Sequence, residues 1–387
     1  MAGKKDKSFV RNVAKERTFQ NQNEDYDNAY FKWRADESNQ YSFNYVHDSR
    51  EHSYMAGRGF IKHGADTAES QTLHNCLRLL GAVMLVMLLF DVLNYLLAMY
   101  LNGGPCSVVY FSKRTSIGTS ETFACIIYTC VSILKYVTAM TIYQVRTKLP
   151  RKVALPSGKG VNNGEFRVTA IVIMLMIIVM GRLASTALSM ILSVVKVDSV
   201  YIYMFDSGEP SVQIISAVYN CVIMPILCEM LFRGLILQSF RQFGDSFAVA
   251  VASIACGLCF YDLSYMGFSI LCSMVIGVFT VRSGSIVTAI LMHAVTTTVN
   301  YMVVYVGILN PSLGRILAIT LCILICIGAL VAYSRLSYRN DWTFNADTNE
   351  SELTFTKKIK LMLSSNTVAM WFVCALILTI VNMRISQ

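Results

Sequence analysis

The side chains best suited to chemistry in this 387-residue chain are ionisable groups set in long apolar runs: Asp91, Lys135, Arg182, Glu229, Arg233, Asp262 and His293. A charge in hydrocarbon is costly, so each is a functional candidate until a partner explains it. Glu229 and Arg233 stand at i and i+4 with Glu first, the order and spacing of a direct helical ion pair. Unpaired in lipid, either would be very costly, so the pair is expected to form. Pro225 lies one turn earlier; lacking an N–H, it leaves the Cys221 carbonyl without its usual partner and kinks or widens the helix. His293 is the sole His after residue 74, and Thr297 and Asn300 follow one and two turns along its face. Counted from the inner ends of their segments, His293 lies ~15 Å deep and Glu229 ~12 Å. The two can share one depth and line a cavity opening toward the cytoplasm. For Lys135, Arg182 and Asp91 with Asn94, bonding between helices is the simpler expectation.

These residues have to be carried by membrane helices. Hydrophobic residues make up 55% of the chain and charged residues only 15%, against about 25% charged in soluble domains. So few charges cannot cover a water-facing surface of this size, which excludes a soluble enzyme. Apolar segments at 77–101, 122–143, 168–195, 211–237, 246–263, 265–281, 284–306, 313–333 and 366–383 are candidates to cross ~30 Å of hydrocarbon. The fifth and sixth are short and close together, so eight or nine transmembrane helices are expected. Asn102-Gly103-Gly104-Pro105, Glu209-Pro210, Gly244-Asp245-Ser246 and Asn310-Pro311 punctuate them. No internal repeat is visible, which argues against the duplicated folds of many transporters.

Of the twelve Cys, ten lie within apolar runs and read as small buried hydrophobes. Cys256 and Cys259 form a CxxC without a nearby His or second pair, so neither a metal nor a cofactor is expected there. The net charge of +9 belongs to cytoplasmic loops and not to nucleic-acid binding. The 144–167 loop carries Arg146, Lys148, Arg151, Lys152, Lys159 and Arg167, whereas 196–210 carries Asp198, Asp206 and Glu209 against Lys196. Nine crossings then put the N-terminus inside a cell membrane and the end after Arg384 outside; only Lys113-Arg114 departs from the pattern.

Residues 1–74 are polar, with no signal-peptide core and no Gly at position 2 for myristoylation. Tyr26, Tyr30, Phe31, Trp33, Tyr41, Phe43, Tyr45 and Tyr54 are interleaved through them, as are His47, His52, His63 and His74. A partly disordered cytoplasmic tail is the plain expectation. A partner-docking segment that orders on binding is the sharper one, and the irregular His spacing does not fit a metal site.

The stretch from Pro225 to Tyr301 resembles the core of the CPBP family, the CAAX prenyl protease and bacteriocin-processing (Abi) glutamic intramembrane peptidases. Pro225-Ile-Leu-Cys228-Glu229-Met-Leu-Phe232-Arg233-Gly234 is similar to the family's Pro followed by Glu-Glu-x-x-x-Arg and Phe-Arg-Gly. Phe260-Tyr-Asp-Leu-Ser264 stands where Phe-x-x-x-His is usual. Arg282-Ser-Gly284-Ser285 and His293-Ala-Val-Thr-Thr297 follow in place of Arg-x-Gly-Ser and His-x-x-x-Asn/Asp. The resemblance implies that the first Glu and the second-motif His activate water, while the third-motif His and Asn stabilise the oxyanion. Those four positions hold Cys228, Ser264, His293 and Thr297. Glu229 is offset from its neighbour by about 100° on a helix and is engaged by Arg233. No His occurs between residues 75 and 292, and neither Ser nor Thr supplies a general base.

The chain therefore reads as an all-α polytopic membrane protein. It comprises a 1–74 tail, a 75–167 helical pair with a basic loop, a 168–306 CPBP-like core and 307–387 C-terminal helices. Glu229, Arg233 and His293 are the retained catalytic-motif positions; Cys228, Ser264 and Thr297 are the substituted ones. On this pattern the protein is a degenerate relative, a pseudoprotease embedded in membrane lipid, that binds a hydrophobic or lipidated peptide or a partner membrane protein. The alternative is an active intramembrane endopeptidase on membrane-anchored, CaaX-type or bacteriocin-type peptides. A rewired site with Cys228 as nucleophile and His293 as base is a third arrangement, against which stands a buried inert thiol.

Overall fold

In the computed structural model each of the nine apolar segments is helical. The structure describes residues 19, 21–36, 38–42, 52–55, 59–62, 65–102, 120–158, 164–194, 197–199, 209–338, 351 and 353–385. Gly103 to Pro105, Lys113, Arg114, Lys159, Lys196, Asp206, Phe43, Tyr45, His47 and His63 lie outside them.

The helices are α1 (Glu24–Arg34), α2 (Ala65–Asn102), α3 (Glu121–Thr147), the short α4 (Arg151–Ala154) and α5 (Gly164–Val194). A continuous helix over Pro210–Phe243 contains α6 (Pro210–Val218), α7 (Met224–Glu229) and α8 (Leu237–Phe240). Then come α9 (Asp245–Leu258), α10 (Leu263–Ser283), α11 (Ile286–Leu309), α12 (Pro311–Tyr338), α13 (Phe355–Ser364) and α14 (Asn366–Asn382). Two antiparallel strand pairs complete the described fold: β1 (His52–Met55) with β2 (Gly59–Lys62), and β3 (Val197–Ser199) with β4 (Met383–Ile385), the latter placing Val197 opposite Ile385.

Six of the described helices are long and apolar enough to cross a membrane, and a seventh span arises if α13 and α14, bent by 71°, are taken together. The eight or nine expected segments differ from this count chiefly at α9. At fourteen residues α9 is about 21 Å long, too short for ~30 Å of hydrocarbon. Helix α5, by contrast, runs for 31 residues over Gly164–Val194, about 46 Å, long enough to cross. The architecture is nonetheless that of an all-helical polytopic membrane protein. Ile316, Ile319, Ile323 and Leu330 on α12 are all more than half exposed, a surface that only lipid covers favourably.

Hydrogen bonds sort the helix ends onto two faces. On one, Ile286 N–H donates to Pro156 O (3.0 Å), Lys358 Nζ donates to Phe243 O, and Ser351 Oγ donates to Glu69 Oε1. On the other, Thr122 donates to Glu209 and β3 pairs with β4. The basic 144–158 loop thus shares a face with residues 241–245, 283–286 and 351–358.

The described part of the aromatic N-terminal segment, residues 19, 21–36 and 38–42, packs onto that same face. Asn23 caps α1 by accepting from Tyr26 N–H (2.8 Å), acids fill its first turn, and Lys32 and Arg34 its last. Tyr26, Tyr30 and Trp33, at i, i+4 and i+7, are buried beside Phe19 in one core cluster with Phe232, Phe240 and Phe247. Thr147 O, at the open C-terminal end of α3, accepts from both Trp33 Nε1 (2.8 Å) and Asn39 Nδ2 (2.9 Å). Tyr26 hydroxyl donates to Gln238 Oε1 (2.7 Å), and the Arg241 guanidinium lies 4.0 Å over the Phe19 ring while pairing with Asp245 at 2.8 and 3.1 Å. Burial pushes the Tyr26 phenol up, with Arg241 opposing part of the shift.

Candidate functional site

Two π-helical turns flank the residues of interest: Tyr219–Ile223 before α7 and Met230–Ile236 after it. The first is the widening expected ahead of Pro225, and it closes with Met224 N–H donating to Tyr219 O. The second was not foreseen. Each adds about one residue to a turn and so changes which side chains face the neighbouring helices. Gly234, which ends the Phe-Arg-Gly triplet, lies in the second; a Cβ there would sit 2.6 Å from Ala154 O on α4.

The structure brings Glu229, Arg233 and His293 together. Arg233 Nε lies 3.1 Å from Glu229 Oε2, and Nη1 donates to Glu229 Oε1 at 3.3 Å. The Nε contact is an ion pair off hydrogen-bond alignment, which leaves Glu229 Oε2 buried without a directed donor. The guanidinium also reaches two other helices. Its Nη2 donates to Ser273 Oγ (2.6 Å) and Ser273 O (2.9 Å) on α10, and its Nη1 to Cys256 Sγ (3.6 Å) on α9. His293 Nδ1, on α11, lies 2.7 Å from Glu229 Oε1. A carboxylate oxygen only accepts, so Nδ1 is the donor in this pairing.

The site is closed. Glu229 and Arg233 side chains are 0% and 1% exposed, and that of His293 17%. This corrects the expected cavity opening toward the cytoplasm: with no exposed surface, Glu229 lines no space that a water molecule can enter. The ion pair and the shared depth of Glu229 and His293 are as the spacing required.

Thr297, Ser264 and Cys228 are placed differently from one another. Thr297 Oγ1 donates back to His293 O (2.8 Å), so its proton is spent on its own helix. Ser264 is the second residue of α10, and its side chain lies outside the described part of the structure. Cys228 is 1% exposed and its sulfur contacts Cys256 Sγ at 3.8 Å. In the rewired arrangement His293 would activate Cys228. Instead its Nδ1 is held by Glu229, and the Cys228 thiol is buried.

Other charged candidates have structural partners. Asp91 accepts from Lys135 Nζ (2.8 Å) and Tyr261 hydroxyl (3.1 Å), and Asn94 Nδ2 donates to Ser132 Oγ (3.2 Å). Asp262 caps α10 by accepting from Tyr265 N–H (2.9 Å). The side chain of Arg182 lies outside the described residues. Cys256 and Cys259 do not contact each other as a CxxC pair would: Cys259 donates to Ala255 O, and Cys256 meets Cys228.

Sequence reasoning missed two features. Ser273 anchors Arg233, and a Ser in an apolar helix gave no sign of that. An apolar groove of about 400 Å³ runs between α5, α11 and α12, lined by Leu175, Val179, Thr296, Asn300, Val303 and Ile319. Thr296 and Asn300 are three and seven residues past His293.

The Arg282-Ser-Gly284-Ser285 turn joins α10 to α11. Gly284 closes α10 at φ +63°, a left-handed conformation that favours Gly, and a Cβ there would meet Asn21 O at 2.1 Å. The motif turn is thus the seat of the N-terminal segment. No curated protein and no solved structure matches the chain. Residues 210–299 match the family model described as Type II CAAX prenyl endopeptidase Rce1-like, a range that takes in the Glu229-Arg233 helix, the Gly284 turn and His293. The helical membrane core over residues 210–299 is thus similar to the CAAX prenyl endopeptidase branch of the CPBP family.

Proposed function

We propose that this protein is a non-proteolytic CPBP relative, set in a cell membrane with its N-terminus cytoplasmic, that binds a hydrophobic or lipidated peptide or a partner membrane protein. The observation that carries the reading is the closure of Glu229. Its carboxylate is fully buried between Arg233 and His293, so it has no water to activate. Cys228 and Thr297 add no acid or base beside it. The groove bordered by Thr296 and Asn300 offers an apolar chain a place next to this core. The orientation rests on the basic 144–158 loop, which shares a face with residues 19–42. An epitope at residue 30 is expected to resist external protease in intact cells; its cleavage there would reverse the orientation.

One observation favours the alternative, an active intramembrane endopeptidase: Glu229 and His293 in contact at 2.7 Å are an acid-base pair in need only of water and a substrate. A single assay separates the readings. The full-length protein in proteoliposomes is given a farnesylated CaaX peptide beside a His293→Ala control and a restored variant carrying Cys228→Glu, Ser264→His and Thr297→Asn. The wild type is expected to bind the peptide without cleaving it. Cleavage by wild type that disappears in His293→Ala would establish the peptidase instead.

A further inference from the structure

We propose that Cys228, Glu229, His293 and Cys256 form a binding site for a thiophilic divalent cation of the zinc class, an inference independent of the peptide-binding reading above. Three helices supply the ligands: Cys228 and Glu229 from α7, Cys256 from α9 and His293 from α11. The donor atoms of Cys228, Glu229 and His293 already lie within 4.8 Å of one another. Cys256 Sγ stands 3.8 Å from Cys228 Sγ. Two thiolates bound to zinc at ~2.3 Å in tetrahedral geometry are separated by about 3.8 Å, so this edge of the polyhedron is in place.

Cys256 Sγ, which is not among the donors that all lie within 4.8 Å of one another, has to swing toward Glu229 and His293 to close the polyhedron, while the other three need smaller adjustments. Glu229 Oε1 and His293 Nδ1, now 2.7 Å apart, would open to about 3.3 Å as both lone pairs turn to the ion. The imidazole proton moves from Nδ1 to Nε2, and the two thiol protons pass to bulk water on binding. The charges then cancel: the dication and the Arg233 guanidinium carry three positive charges, the two thiolates and the Glu229 carboxylate three negative ones. A buried site without that balance would be expelled by its own desolvation cost. Arg233 Nη1, 3.6 Å from Cys256 Sγ, is placed as the outer donor that thiolate sites use. Glu229 Oε2, buried without a directed hydrogen bond, has a lone pair to spare. Two sulfurs, one imidazole and one carboxylate favour zinc over the hard, oxygen-seeking cations.

The test is cobalt(II) and zinc(II) titration of the purified full-length protein. One equivalent of cobalt is expected to give a thiolate-to-metal charge-transfer band that zinc abolishes. Cys228→Ser and Cys256→Ser should each weaken the band and lower zinc affinity by more than the ~100-fold cost of losing an outer-shell partner, while Cys374→Ser keeps both. A folded wild type without the band, or a band that survives Cys228→Ser, would overturn the site. So would a Cys228–Cys256 disulfide, read in the wild type as a mass two hydrogens short after alkylation without reduction.

Discussion

Arg233 ties the core together, because it bridges the Glu229 helix, α9 and α10. Its charge is fully buried and its donors are shared among a carboxylate, a sulfur, a hydroxyl and a carbonyl. Removing one partner of a buried pair strands the other, at a cost of about 3–5 kcal/mol. Arg233→Ala should therefore lower thermal stability in detergent far more than Ser273→Ala, which removes one charge-assisted hydrogen bond worth about 1.5–3 kcal/mol. Equal losses in the two variants would show that Ser273 carries the guanidinium. At Thr297 the opposite is expected. Its hydroxyl is bonded to its own helix, so Thr297→Val should leave stability within about 1 kcal/mol of wild type.

Among the elements, α1 and the Gly284 turn hold the most consequence. Helix α1 buries Tyr26, Tyr30 and Trp33 against the membrane core, and Trp33 also donates to the open end of α3. Trp33→Ala should cost about 3–5 kcal/mol, measured as a shift in the unfolding midpoint, and should raise protease sensitivity within residues 19–42. A change within 0.5 kcal/mol would mean that the segment contributes nothing to the fold. Gly284→Val pairs a left-handed backbone with a side chain placed against Asn21 O. It should free the N-terminal segment while leaving the spans intact, so limited proteolysis near residue 30 increases without loss of helical signal by circular dichroism.

For the molecule as a whole, the two sets of helix ends make a sidedness test. Residues 19–42, 144–158, 241–245 and 351–358 share one face, and Glu209, Thr122 and the β3–β4 pair share the other. Single cysteines introduced at Lys152 and at Glu209 should label from opposite sides of a sealed vesicle, and labelling of both from one side would break the topology. Much of this was legible in the chain. Low charge and long apolar runs determine a helical membrane protein, because unpaired backbone is intolerable in lipid. The i, i+4 spacing determines the Glu229-Arg233 pair, because it is set within one helix. The motif order from Pro225 to His293 marks the family core. The cues for α1 were also present: Asn23 as cap, acids in the first turn, and aromatics at i, i+4 and i+7. Polar composition outweighed them, because nothing in the sequence shows which surface those aromatics cover. Only the tertiary structure decided the rest. That Glu229 meets His293, that Cys228 meets Cys256, and that no water reaches the carboxylate depend on how helices 28 and 64 residues apart in sequence are packed. Packing of that kind is set by side-chain shape and by the re-phasing of the π-helical turns, and neither has a period that can be read along the chain.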